Sequence, residues 1–165
     1  MAAVPEGVSA KLEESGIGVL STWAPQQFIL AHKATGWFLT HCGMSSVVES
    51  LAEGVPMLAW PISGDQADNA ALVSITLNAG YQLTEARTGS SGLRGLKRGV
   101  RPTGTVEAIQ RETREILEKA RGKDGGFKRA NAVAIKNKIK TALKDDGEAI
   151  TELNRLLVKV FPSEH

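Results

Sequence analysis

Residues 23–66 read WAPQQFILAHKATGWFLTHCGMSSVVESLAEGVPMLAWPISGDQ. Residues 26–33 carry a short helical pattern, with Pro25 suited to a first turn. Gly36 closes that unit, and the apolar run at 37–40 (WFLT) predicts a buried strand. The six residues His41-Cys42-Gly43-Met44-Ser45-Ser46 then lead into a helix over 45–53, with Val47, Val48, Leu51 and Ala52 on its inner face. Gly54 suits its C-terminal stop. A strand over 56–60 follows, opened by a proline that donates nothing to a ladder. Backbone N–H groups, small hydroxyls and an imidazole thus meet at a helix N-terminus, which is where proteins hold phosphate. Glu49 lies one helical turn further on.

The pattern extends both ways. Residues 17–21 (IGVLS) predict an earlier strand. Residues 65–78 predict a helix with Ala67, Ala71, Leu72 and Ile75 at helical spacing, and 81–83 a last strand after Gly80. Strands alternating with helices over short connections argue for a parallel sheet. Right-handed crossovers put the loops at 21–23, 41–43 and 61–66 on one edge, where ligands of open α/β sheets bind. The expected class is α/β: a partial Rossmann-like parallel sheet of about four strands with flanking helices and a helical C-terminal segment.

The character changes after Ala86. Residues 87–104 hold Arg87, Arg94, Lys97, Arg98 and Arg101 among glycines and serines, with no acid. This segment reads as a flexible basic loop. It either forms a phosphate or nucleic-acid patch or is simply solvated, and the absence of interleaved aromatics favours solvation. Helix resumes at Thr103 or Thr105. Gly122, Gly125 and Gly126 are expected to break it. A lysine-rich helix over 127–143 and a last one over Glu148–Val160 follow. The expected organisation is a Rossmann-like core at 1–86, the loop at 87–104, and C-terminal helices of the same domain at 105–165.

With 165 residues the chain is about one domain. Its net charge of +2 implies no general attraction to nucleic acid or membrane. One cysteine, Cys42, excludes an internal disulfide and fits a reducing, cytoplasmic compartment. No run approaches the length of a membrane span, and residues 1–7 lack the basic leader and apolar run of a signal peptide. No cluster has metal-ligand spacing.

The motifs WAPQ, LAH, FLTHCG, ES-x-x-x-GVPMLAWP and DQ-x-x-NA occur in that order. Together they resemble the donor-binding signature of UDP-dependent glycosyltransferases of the plant secondary-product type, a two-Rossmann-domain GT-B family with fungal and bacterial relatives. The signature occupies 44 of the 165 positions without a gap. The resemblance implies that Trp23 stacks on uracil and that the Ala24 backbone bonds the base edge. It implies that Gln26 and Glu49 meet the ribose, and that His41 and Ser46, with the backbone around Gly43, hold the diphosphate. Asp65 and Gln66 would bond the sugar, a hexose with glucose favoured; Asp65 could also cap its helix, with the sugar role favoured. The donor substrate is a UDP-sugar, with no separate cofactor.

Two departures stand out. Met44-Ser45 replace the usual Trp-Asn after HCG, so any phosphate contact there is made differently: a thioether donates nothing and serine lacks an amide. Ser63 stands where plant members often carry a second tryptophan. The resemblance further implies an N-terminal acceptor-binding domain that supplies a catalytic histidine oriented by an aspartate. Neither is in this chain, which reads as a partial donor domain, inactive alone. Without that domain, apolar surface is expected to be exposed. The competing reading is a non-catalytic nucleotide-binding or interaction module that complements a partner chain.

Overall fold

The computed structural model describes residues 6–97 and 99–161. Three short apolar runs flanked by helices pair as parallel strands: β1 (Phe38–Thr40), β2 (Met57–Ala59) and β3 (Gly80–Gln82), in that order across the sheet. Phe38 faces Met57 and Met57 faces Gly80 in register. Gly80 is needed there, because a Cβ would lie 2.8 Å from Val73 Cγ1 and closer still to the Met57 carbonyl oxygen. The crossovers are α3 (Met44–Ala52) and α4 (Gln66–Ala71), the latter continuing as a π-helical turn, Leu72–Thr76. Helices α1 (Glu6–Ser15) and α2 (Gln26–Ala31) precede the sheet. After it come α5 (Gly89–Gly92), α6 (Val106–Arg121), α7 (Lys123–Ala142) and α8 (Glu148–Val160).

The core lies between the sheet and its helices, where Val47 and Leu51 of α3 meet Met57, Ala59, Val73 and Ala132. Helix α7 closes it from outside, packing on α3 and α6. Two buried or half-buried cations fasten α7 to the sheet layer. Lys128 is buried, donates to Asn78 Oδ1 at 2.7 Å and sits 4.6 Å from the Tyr81 ring centroid. Lys136 donates to Glu53 Oε2 at 3.0 Å. Trp37 stacks on Tyr81 at 5.4 Å, and Tyr81 donates to Asp124. Burial, with the Asp124 carboxylate second, holds the Tyr81 phenol well above its ordinary pKa.

The α/β class and the parallel sheet stand, with corrections. Among the described residues the sheet has three strands. Residues 17–21 form no strand and pair with none of β1–β3, with Ile17 90% and Val19 93% exposed. An apolar run becomes a strand only where a ladder partner lies beside it, and the strand order ends at β1. The last strand lies one residue earlier than expected. Gly125 and Gly126 do not break a helix but lie inside α7. There Gly125 approaches the Ala120 carbonyl too closely for any side chain, so the glycine serves helix contact. The lysine face of α7 is not wholly outward, since Lys128 is buried. Trp60 is half exposed at the end of β2 and is not core. Helix α1 was not foreseen.

The 87–104 segment contains one helical turn and is clasped at its base. Glu85 Oε2 accepts from Thr103 N–H at 2.7 Å, Thr103 Oγ1 at 2.9 Å and Gly104 N–H at 3.0 Å. These bonds, led by that from Gly104, hold the Glu85 carboxyl below the usual carboxylate range. Glu112 of α6 accepts from the Thr84 and Glu85 N–H groups. Arg98 of this segment lies outside the described residues, as do residues 1–5.

Candidate functional site

The turn between β1 and α3 is held by buried hydrogen bonds. Cys42 takes φ 64°, a left-handed conformation that costs a non-glycine residue on the order of 1 kcal/mol or more. Its surroundings hold it there. The Cys42 N–H donates to Thr40 Oγ1 at 3.2 Å, and the Cys42 carbonyl accepts from Asn69 Nδ2 at 2.9 Å. The Cys42 side chain is fully buried in the core, and burial pushes its thiol up to about 11. The kink turns His41 outward and delivers Gly43 to the N-cap of α3. A Cβ on Gly43 would sit 2.7 Å from His41 Nε2, so the imidazole lies directly over this glycine.

No side chain caps α3, and its first turn carries no acid. The first N–H groups of the helix, from Met44 onward, are therefore open to a ligand at its positive end. Met44 and Ser45 are exposed beside them, and Ser46 is half buried. One turn along, Gln26 Nε2 donates to Glu49 Oε2 at 2.7 Å and to Ser46 Oγ at 3.4 Å. This link between α2 and α3 joins three residues separated by up to 23 positions. It presets the Glu49 carboxylate while leaving its other oxygen without a partner among the described residues.

Asp65 and Gln66 lie at the end of the loop that follows β2. Gln66 Oε1 accepts from the Ile62 and Ser63 N–H groups at 2.9 and 3.0 Å, which folds the loop back on its own helix. Asp65 makes no side-chain cap. Instead Asp65 Oδ2 accepts from Asn69 Nδ2 at 2.7 Å. The buried Asn69 amide thus ties the Cys42 carbonyl to the Asp65 carboxylate, joining the loops after β1 and β2. The adjoining residues Trp60, Ile62 and Gly64 wall a cavity of about 440 Å³ with Arg87 and Ile109. His41, Gly43 and Glu49 stand outside it, on the open face.

A family model described as UDP-glucoronosyl and UDP-glucosyl transferase matches residues 9–100, more than half of the chain. The chain belongs to this family. UDP-glycosyltransferase eriJ of Hericium erinaceus is 45% identical over 119 residues, covering 72% of this chain and 24% of eriJ. UDP-glycosyltransferase 73B1 of Arabidopsis thaliana is 33% identical over 154 residues, covering 93% of this chain and 28% of its own length. Phytolacca americana UGT2, solved in complex with UDP-2fluoro-glucose and pterostilbene, matches the fold with a TM-score of 0.68 at 27% identity, over 92% of this chain and 32% of that one. The chain spans between about a quarter and a third of the length of these relatives.

Most of the residues singled out from the sequence lie on the elements expected of them. Gln26, Ser46 and Glu49 are brought together, as are His41 and Gly43. Trp23 and Ala24 are different: Trp23 is 75% exposed, and the segment before it follows no strand. Ser21 Oγ shapes that segment locally, donating to the Trp23 carbonyl and accepting from the Trp23 N–H. Asn69 was quoted within the DQ-x-x-NA motif but given no role. Its place four residues after Asp65, on the same helix face, was the available signal. Among the described residues, no group of three or more His, Cys, Asp or Glu is gathered to hold a metal ion, and no helix is long and apolar enough to cross a membrane.

Proposed function

We propose that this chain is the UDP-sugar donor-binding portion of an inverting glycosyltransferase that moves a hexose, preferentially glucose, to an acceptor hydroxyl of a small molecule. The observation that carries the reading is the turn at 41–43, held by the buried Asn69 amide, which points an uncapped helix N-terminus and the His41 imidazole at the same open face. A diphosphate placed there would receive backbone N–H bonds from α3 together with His41 and Ser46. As the sugar–phosphate bond breaks, negative charge grows on that leaving group, so donors already aimed at it stabilise the transition state. The preset Gln26–Glu49 pair suits the two ribose hydroxyls, because a carboxylate oxygen accepts from both. Trp23 would stack on uracil, with the Ala24 backbone at the base edge. Met44 and Ser45 flank the phosphates without an amide donor. Asp65 and Gln66 would meet the sugar hydroxyls.

The general base that deprotonates the acceptor must lie within hydrogen-bond reach of its hydroxyl. We assign it, with the acceptor pocket, to an N-terminal domain of the kind implied by the greater length of the relatives, acting in the cytoplasm. Residues 1–86 would form the donor core, and 105–165 the helices that complete it. Titration of the 165-residue chain with UDP, followed by tryptophan fluorescence and calorimetry, tests the site. Saturable binding is expected, weakened at least roughly tenfold in His41→Ala, since a hydrogen bond to a charged group is worth about 1.5–3 kcal/mol. Equal affinity in wild type and His41→Ala would remove the diphosphate assignment.

The reading as an interaction module that complements a partner chain has one observation in its favour. Ile17, Val19, Leu20, Phe28 and Ile29 are exposed close together in sequence, more apolar surface than isolated surface residues present. Transfer activity restored by adding an N-terminal domain would decide for the enzyme, and unaltered UDP binding without transfer would decide for the module.

A further inference from the structure

The basic segment after β3 encloses a second cavity, of about 440 Å³, against the exposed side of α4 and its π-helical continuation. That volume is within the range of sites that bury small organic ligands. Its wall is apolar on one side, where Ala71, Ile75 and Leu96 face it. Its polar side is formed by Gln82, Arg87, Arg94 and Lys97, with Asp68 the acid in the lining.

Two atoms in this wall have unmet needs. Arg87 Nε and Gln82 Oε1 are buried, and neither has a hydrogen-bond partner. The Arg87 guanidinium as a whole makes no hydrogen bond or ion pair with any described residue, although it is half buried. A buried polar atom left unpaired is costly, and more so when charged. The acid in the lining does not relieve it, since Asp68 forms no ion pair with Arg87. A planar guanidinium with open donors matches the two oxygens of a carboxylate or a phosphate. Gln82, whose side chain also lines the cavity, has a buried Oε1 that accepts no hydrogen bond.

The segment is also shaped to keep this cavity. Glu85 clasps its base to Thr103 and Gly104, Gly104 passes so near Leu93 that a Cβ would sit 2.7 Å from its Cδ2, and the Leu96 N–H donates to the Val100 carbonyl at 2.7 Å. The basic residues are therefore presented by an ordered turn.

From this the geometry points to a second ligand site, distinct from the donor face: the cavity under residues 87–97 binds a small organic anion with an apolar body. Its oxyanion group, carboxylate or phosphate, pairs with Arg87, with Arg94 and Lys97 at the rim. Its body lies on Ile75 and Leu96, and a hydroxyl or amide hydrogen reaches Gln82. Arg87 also lines the cavity walled by Trp60, Ile62 and Gly64. An occupant of this site therefore touches the residue that backs the loop leading to Asp65.

The test titrates the 165-residue chain with salicylate, phenyl phosphate, inorganic phosphate and the neutral salicylamide, following the Arg87 Nε–H and the Ile75 and Leu96 methyl groups by NMR. Saturable shifts at all three positions are expected with an aromatic anion. If salicylate binds more tightly than phenyl phosphate the group is a carboxylate, and the reverse order makes it a phosphate. Arg87→Gln is expected to weaken binding roughly tenfold or more, Arg94→Gln less, since the second is exposed. Arg87→Lys should retain an intermediate affinity, and unchanged amide spectra elsewhere would show that both variants fold. Absence of saturable shifts, equal shifts with salicylamide, or unchanged affinity in folded Arg87→Gln would each overturn the proposal. So would tight binding of inorganic phosphate alone with no change at Ile75 and Leu96. UDP binding at His41 is read separately, so either site can fail without the other.

Discussion

The loop at 41–43 and the segment at 17–23 belong to one sequence pattern and were expected at one sheet edge, yet they are built differently. The first is fixed from three sides: Thr40 from below, Asn69 from the neighbouring loop, and the cysteine side chain anchored in the core. The second is held by short-range bonds, Ser15 Oγ accepting from the Ile17 N–H and Ser21 Oγ bonding the Trp23 backbone, and it leaves Ile17, Val19 and Trp23 exposed. The difference teaches that the loop at 41–43 is preorganised by buried bonds, whereas the segment ending at Trp23 presents an exposed aromatic with little to hold it. Preorganised groups cost little to arrange on binding, whereas a ligand that used Trp23 would have to immobilise it.

The largest effect expected from pressing on this contrast is Asn69→Ala. It strips the Cys42 carbonyl of its buried donor and frees Asp65, so unfolding in urea should register a loss of about 2–3 kcal/mol, with weaker UDP binding beside it. A loss below about 0.5 kcal/mol, the range of an ordinary surface change, would mean that the turn is not held from Asn69. Trp23→Ala should do the opposite. Its stability change should stay within about 0.5 kcal/mol, while UDP affinity falls by about 1–3 kcal/mol. A large stability loss would show that Trp23 is structural after all.

Gly43→Ala probes the close approach of His41. Its backbone, at φ −58°, accepts alanine without strain, but the new methyl must displace the imidazole. UDP affinity should drop severalfold, on the order of 1 kcal/mol for a misplaced hydrogen bond, with the melting temperature nearly unchanged. The smallest effect concerns Cys42. With its thiol pushed up to about 11 by burial, the folded chain should resist alkylation by iodoacetamide near pH 8 and react only as pH climbs towards 11. The sign for stability follows. A raised native pKa favours the folded state fully below the ordinary thiol range, and that contribution is lost as pH rises through about 11. Rapid labelling at pH 8 without unfolding would show the turn opening.

Much of this was legible in the sequence. The two strands around His41, the helix that begins beside Gly43, and the Glu148–Val160 helix follow from apolar runs, periodicity and punctuating glycines, which act locally. Residues 17–21 misled because strand formation needs a partner that periodicity does not see. Gly125 and Gly126 misled because a glycine pair that ends an isolated helix also permits one helix to touch another. Helix α8 carries Ile150, Leu153, Leu157 and Val160 at helical spacing, yet Leu153, Leu157 and Val160 are all exposed. Amphipathicity states that a face can be buried and leaves open by what.

By itself, then, the sequence determined the parallel α/β class, the family, and which residue types stand at the helix N-terminus after β1. These rest on short-range chemistry: side-chain period, glycine and proline geometry, and a motif whose members are close in the chain. Only the tertiary structure decided which of those residues meet. The Gln26 link to Glu49 spans 23 positions, Asn69 reaches back 27 to Cys42, and the Glu85 clasp closes a segment that composition alone showed as loop. Each depends on where packing places two distant backbones, and no local pattern records that.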